Sequence, residues 1–141
     1  MATKAELQEL LDSNTEEDNE IDAVFVFDLE NKAILYHNKV STSRGKRILD
    51  NIESLNGSIG KLKGINNTLN SAGTDTQLEE FEFGTFKFSN GLLNLYFVDG
   101  LRAPIAVGFI SGTPEGLGEF LWNSRKHYET LKPMLDKLLA K

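Results

Sequence analysis

The order of segments in this 141-residue sequence predicts an α+β fold with the element order α-β-β-α-β-β-β-α. Two observations carry this prediction. Three stretches, at 3–13, at 43–70 and from 113 onward, repeat apolar residues with the period of an amphipathic helix. Between them lie short runs of β-branched and aromatic residues separated by Asn, Asp and Gly, which is typical of antiparallel hairpins.

The composition is that of an ordinary globular domain, with 40% hydrophobic and 26% charged residues, and we expect one domain over 1–141. The net charge of −6 disfavours nucleic acid, because phosphate binding requires an excess of Lys and Arg. There is no cysteine, so neither a disulfide nor a thiolate metal site is expected. We expect a soluble cytoplasmic protein without membrane insertion, because no signal-peptide core or membrane-length apolar run is present.

The first helix is predicted over 3–13, where apolar residues recur at helical spacing. Thr3 is a candidate N-cap, because Glu6 follows three residues later as in a capping box. The polar segment 14–20 is predicted to be a solvated loop. Its alternating acids and amides lack the glycine of a calcium-binding EF-hand loop, so no metal site is predicted there.

The opening hairpin is predicted from two apolar runs. Residues 23–27 are continuously apolar and rich in β-branched and aromatic types, which is typical of a strand covered on both faces. Residues 28–32 contain the Asp and Asn of a turn. Residues 33–36 then form the returning strand.

The stretch 43–70 carries an apolar seam at alternating steps of four and three, with Asn66 in one slot: Ile48, Ile52, Leu55, Ile59, Leu62 and Leu69. Three glycines, Gly57, Gly60 and Gly64, interrupt it. Either the helix ends near Gly57, or it continues and the glycines allow another helix to approach closely. The seam stays in phase across the glycines, which favours a continuous helix. It packs either on the protein's own sheet or on a partner helix.

The second half is predicted to be a three-stranded meander. Residues 70–76 are predicted to be a loop, and the chain is β-like from Leu78. Phe81 and Phe83 alternate with glutamates and stand at odd positions. After Gly84 the apolar residues, Phe86 and Phe88, stand at even positions. This change predicts a β-bulge at the glycine.

The closing elements follow from turn signals. The Asn-Gly pair at 90–91 predicts a tight hairpin turn, followed by strands over 92–98 and 105–110. A Thr-Pro pair at 113–114 predicts the start of the last helix. Pro133 is expected to kink or restart that helix.

The chemical inventory predicts no catalytic, cofactor or metal site. The sequence has two histidines, His37 and His127, and neither has a candidate nucleophile beside it. The alternative of an enzyme would have to use Asp28, His37 or Asp99. The first 22 residues are strongly acidic and 44–64 are basic, which indicates either two solvated faces or a complementary docking surface.

The element order and several segments resemble the dynein light chain roadblock family. The opening hairpin is one such segment, and the others lie in the closing half of the chain. They are Ala23–Asp28, Ala33–Tyr36, Leu92–Val98, Ile105–Ile110 and Gly116–Gly118 before the last helix. The resemblance implies a five-stranded antiparallel sheet flanked by helices on both faces, with the terminal helices sharing one face.

The resemblance also implies function. Roadblock domains are non-enzymatic scaffolds that usually dimerise, and their second helix and third strand contact the same elements of the other copy. Several of them bind Ras-like small GTPases. The leading hypothesis is therefore a homodimeric scaffold for a small GTPase or another regulatory protein. The predicted dimer interface comprises Ile48, Ile52, Leu55, Ile59, Leu62, Phe81 and Phe83. The alternative is a monomeric longin- or profilin-like domain that acts as a trafficking adaptor or small-molecule sensor.

Overall fold

The computed structural model describes residues 3–17, 21–31, 33–38 and 62–141. Within these residues the predicted order of elements is confirmed. The helices and strands are α1 (Lys4–Glu17), β1 (Ala23–Asp28), β2 (Ala33–His37), α2 (Leu62–Asp75), β3 (Phe83–Phe88), β4 (Gly91–Val98), β5 (Ile105–Ser111) and α3 (Leu117–Leu138).

The five strands form one antiparallel sheet in the order β2-β1-β5-β4-β3. Every residue of β1 is buried, as its unbroken apolar run predicts for a strand covered on both faces. Its pairing with β2 shifts register between Val26 and Phe27. The edge strands of the sheet are β2 and β3.

One face of the sheet carries both terminal helices. Leu7 and Leu11 of α1 pack with Phe120, Leu131 and Leu135 of α3 in a fully buried cluster that includes alternate residues of β1, β4 and β5. The terminal helices thus share a face, as the resemblance implies. Burying such side chains stabilises the fold by about 1.5–3 kcal/mol each.

The helix α1 begins as predicted and ends later than predicted. The Thr3 hydroxyl accepts the backbone N–H of Glu6 at 3.1 Å, which confirms the N-cap. The helix then continues to Glu17, so the predicted loop at 14–20 was wrong over its first residues. Ser13 and Thr15 donate to carbonyls three residues back, so they bond within the helix although the apolar stripe has ended.

The opposite face carries a second cluster, formed by Ala23, Phe25, Phe27, Leu29, Leu95 and Ala106. Phe25 lies directly across from Gly108 in the β1–β5 pairing. A Cβ on Gly108 would overlap the Phe25 ring, so only glycine leaves room for the ring there.

The helix α2 runs to Asp75, so the predicted loop at 70–76 was wrong. Its end is a Schellman arrangement, in which Gln77 N–H donates to the Thr74 carbonyl and Leu78 N–H to the Gly73 carbonyl. Gln77 has a φ of 63° at the position that glycine usually occupies. The glycine is instead at Gly73, because the returning chain at Glu79 leaves no room for a side chain there.

The predicted bulge at Gly84 was wrong. The register of β3 against β4 is continuous from Phe83 to Phe88. The change of parity is real and lies within the regular strand, because Phe83 lies on one face of the sheet and Phe86 and Phe88 on the other, with no residue inserted between them.

The helix α3 begins at Leu117, later than the predicted start at 113–114. Thr113 forms a turn instead, in which its carbonyl accepts the N–H of Gly116. The helix also runs unbroken through Pro133 to Leu138, so the predicted restart was wrong. Among the residues that the structure describes, no helix has the length and apolarity needed to cross a membrane.

Two alanine substitutions within α2 are expected to have opposite effects. Gly73→Ala would place a Cβ against the Glu79 carbonyl and should lower the free energy of unfolding by about 1–3 kcal/mol. Gly64→Ala meets no atom within 4 Å and should raise it by up to about 1 kcal/mol, because alanine is the better helix former. Urea denaturation of both variants measures this; a stabilising Gly73→Ala would contradict the crossing at Glu79.

Candidate functional site

The predicted interface residues are only partly described. Ile48, Ile52, Leu55 and Ile59 lie outside the described residues, and Leu62 is the first residue of α2. Their role in an interface therefore stays a prediction. Phe81 and Phe83 are described. Phe83 is the first residue of the edge strand β3, and Phe81 precedes the strand by two residues.

Phe81 and Phe83 contact opposite faces of the sheet. The Phe83 ring stacks on Tyr96 with centroids 5.1 Å apart, and Tyr96 belongs to the cluster under the terminal helices. The Phe81 ring lies 5.2 Å from Phe97, which packs on the second cluster. The sequence had placed both rings on one face, because it treated 81–83 as regular strand.

The outer edge of β3 carries backbone groups that pair with no other described strand. Phe97 N–H donates to the Glu82 carbonyl at 3.1 Å, so these two residues form a hydrogen-bonded pair of the antiparallel ladder. Such pairs alternate along the strands. With the observed register, Phe83, Thr85 and Lys87 therefore direct their N–H and C=O groups away from β4.

Three phenylalanines of β3 are exposed large apolar side chains. Phe83, Phe86 and Phe88 have exposed fractions of 43%, 38% and 57%. Phe83 lies on the face of the terminal helices, and the other two lie on the opposite face with Leu93 and Leu95. Exposed apolar side chains on an edge strand are typical of an interaction site.

A column of rings connects β3 to α3. Tyr96 stacks on Phe83 and also on Tyr128 of α3, at 4.0 Å between centroids and an interplanar angle of 11°. The Tyr96 hydroxyl accepts a hydrogen bond from the Asn94 amide at 3.4 Å, and Thr85 donates to the Asn94 oxygen at 3.1 Å. Burial raises the pKa of both tyrosine hydroxyls, that of Tyr128 to about 12.

A groove of about 670 Å³ opens beside this column, between the start of β3, the end of β4 and α3. Four carboxylates line it: Glu80, Glu82, Asp99 and Glu129. Its two cations are paired along the helix, since Arg125 bonds to Glu129 at 3.2 Å and Lys132 to Asp136 at 2.9 Å.

Sequence reasoning missed Tyr96, Tyr128 and Trp122. Tyr128 fits the apolar stripe of α3 and was counted as an ordinary core position, although Arg125 and Glu129 flank it. Trp122 is 72% exposed and lies one turn before Arg125. The single tryptophan of the sequence was the available signal, because Trp is enriched at binding hot spots.

Asp28, His37 and Asp99, which an enzyme would have to use, lie in different elements. Asp28 accepts the N–H groups of Glu30 and Asn31 and shapes the β1–β2 turn. His37 contacts the Asn38 carbonyl at 2.8 Å at the end of β2, and Asp99 lines the groove. Within the described ranges, no three His, Asp or Glu side chains are grouped to hold a metal ion.

Comparison of the sequence with protein-family models finds no match, and comparison with curated proteins finds none. The fold does match solved structures. Myxococcus xanthus MglB is similar at a TM-score of 0.68 and 15% identity, with 95% of this chain and 98% of that chain covered. A Roadblock/LC7 domain from Streptomyces avermitilis is similar at 0.61 and 9%, with 91% and 96% covered.

The gliding protein MglB from Thermus thermophilus is also similar, at a TM-score of 0.61 and 12% identity, with 93% of this chain and 89% of that chain covered. At these identities the likeness concerns the fold. The chain has the fold of roadblock domains over nearly its whole length, which agrees with the resemblance found in the sequence.

The Tyr128 hydroxyl is expected to make stability depend on pH in alkali. Its pKa of about 12 in the fold exceeds the ordinary 10.0, so the unfolded chain loses this proton first as the pH rises. The free energy of unfolding should therefore fall between pH 10 and pH 12. Tyr128→Phe should fall less steeply over the same window in denaturant titrations, and parallel curves for the two proteins would contradict the assignment.

Proposed function

We propose that this chain, which has the fold of a roadblock domain, is a homodimeric, non-catalytic scaffold that binds a Ras-like small GTPase or another regulatory protein. The observation that carries the dimer is the outer edge of β3. It combines backbone groups that pair with no other described strand with exposed phenylalanines, which is the combination that proteins cover to avoid uncontrolled strand pairing.

A second copy fits this edge as an antiparallel strand. With a two-fold axis at Thr85, Phe83 would face Lys87 of the second copy, and Lys87 would face Phe83 of the second copy. The outward N–H and C=O groups of all three residues would then pair between copies. On the other face, Gly84 would face Phe86 of the second copy. Phe81 and Phe86 of its own chain already lie against Gly84, so these rings would be the ones that the second copy's Phe86 packs against.

The apolar seam is the second proposed element of the dimer. Ile48, Ile52, Leu55 and Ile59 would continue the interface from β3, with the glycines allowing the two helices to approach. Solved structures of similar fold include an MglB with a tetrameric arrangement, which supports association between copies as a property of this fold.

The small GTPase is the proposed partner because several roadblock domains bind GTPases of this class. A dimer presents two copies of each surface about its axis, which suits a scaffold.

The dimer is tested by the backbone N–H of Thr85. Thr85→Pro removes an outward-facing donor, which an edge strand tolerates, and it should convert a dimer of twice 15.7 kDa to a folded monomer in light scattering. Thr85→Val is the matched control, because it also loses the Asn94 bond but keeps the N–H, and it should remain a dimer. A monomeric wild type would contradict the proposal and favour the monomeric alternative.

The GTPase is tested by titration calorimetry. Ras-like GTPases of the source organism, loaded with GDP or with a non-hydrolysable GTP analogue, are titrated into the wild-type chain. We expect one of them to bind saturably, with different affinities for its two nucleotide states. Thr85→Pro should bind it more weakly if the surface spans both copies. Failure of every GTPase to bind in either state would contradict this part of the proposal.

A further inference from the structure

The groove beside α3 has a wall of stacked rings. Tyr96 is stacked between Tyr128 and Phe83, and all three rings line the groove. Tyr128 is half-buried, and Phe83 has an exposed fraction of 43%. A planar aromatic wall that is partly open to solvent offers stacking surface to a flat group. The proposed β3 dimer pairs the backbone of Phe83 with a second copy, whereas Tyr128 and the carboxylates of the groove take no part in that pairing.

The rim of the groove has an excess of negative charge. Glu80, Glu82 and Asp99 lie on the sheet side, and Glu129 lies on the helix side. The charge of Glu82 contributes to the raised pKa of Tyr128, so this carboxylate and this ring belong to the same space. The groove's own cations are held in pairs along α3, and they do not cancel the carboxylates across the groove.

We propose that this groove binds an arginine side chain carried on an extended segment of a partner protein. A guanidinium is planar, stacks on aromatic rings and forms forked hydrogen bonds to carboxylates. The groove supplies both kinds of surface side by side. A lysine ammonium would use the carboxylates but would gain less from the rings, because it is compact and more strongly hydrated.

Charge argues against an anionic occupant. A phosphate, a nucleotide or an acidic peptide would meet Glu80, Glu82 and Asp99 on the sheet side. The cations on the helix side, Arg125 and Lys132, already bond to Glu129 and Asp136. This inference goes beyond the proposed scaffold function, since it requires neither the dimer nor a GTPase. It adds a second protein-binding surface beside the same edge strand, β3.

The test uses a defined probe, the capped peptide acetyl-Gly-Arg-Gly-Arg-Gly-amide, titrated into the full chain. NMR signals of the Phe83 and Tyr128 rings report on the groove. Fluorescence of Trp122, the single tryptophan, reports from one turn along α3. We expect saturable shifts at both rings. The same peptide with citrulline in place of arginine keeps the shape without the charge, and it should not bind.

Two variants separate the groove from general attraction to an acidic protein. Glu82→Gln should raise the dissociation constant by about threefold, and Phe83→Leu by about two- to fivefold. Glu119→Gln, which makes the same change of charge in the first turn of α3, should leave it unchanged. Binding of the citrulline peptide, equal effects of Glu82→Gln and Glu119→Gln, or no binding at all would overturn the proposal. Thr85→Pro should bind the peptide like the wild type, so failure of the dimer and failure of the groove are distinguishable.

Discussion

The rest of this structure depends on an open sheet whose two edge strands are β2 and β3. Four antiparallel pairings bury β1 between β2 and β5 and fix which residues face the terminal helices. The same pairings leave β3 bonded to β4 on one side and to no other described strand on its outer side. Backbone groups on an open side gain from pairing with another strand. The exposed phenylalanines, the aromatic column and the groove all lie on or beside this strand.

Local signals in the sequence predicted the elements well. The apolar run of β1, the Thr3 cap and the Asn-Gly turn before β4 each act within a few residues, so pattern reasoning detects them. The ends of α1 and α2 were missed because polar residues such as Ser13 bond within the helix after the apolar stripe stops. Gly73 suggested a loop, although it is required by a chain crossing that local sequence does not encode.

The candidate site was predicted less completely, because it is made by contacts between distant residues. Phe81 and Phe83 were identified, but their spacing of two suggested one shared face. The strand begins only at Phe83, which sends the two rings to opposite faces. The stacking of Tyr96 on Tyr128 joins β4 to α3, and no periodicity within either element reveals it.

The two proposals assign different chemistry to one end of the sheet. Strand pairing at the outer edge of β3 would use backbone hydrogen bonds, which carry little sequence preference by themselves. The groove would use rings and carboxylates, which discriminate between side chains. A scaffold benefits from this division, because assembly of the platform and choice of partner then depend on separate groups.

The central claim is that a second copy covers the open edge of β3. Amide hydrogen exchange of Phe83, Thr85 and Lys87, followed by NMR at high and low protein concentration, tests it most directly. We expect these three outward amides to be protected at high concentration and to exchange faster on dilution, while Phe86, which bonds to β4, stays protected throughout. Fast exchange of the three outward amides at every concentration, in a chain whose Phe86 amide is protected, would contradict it.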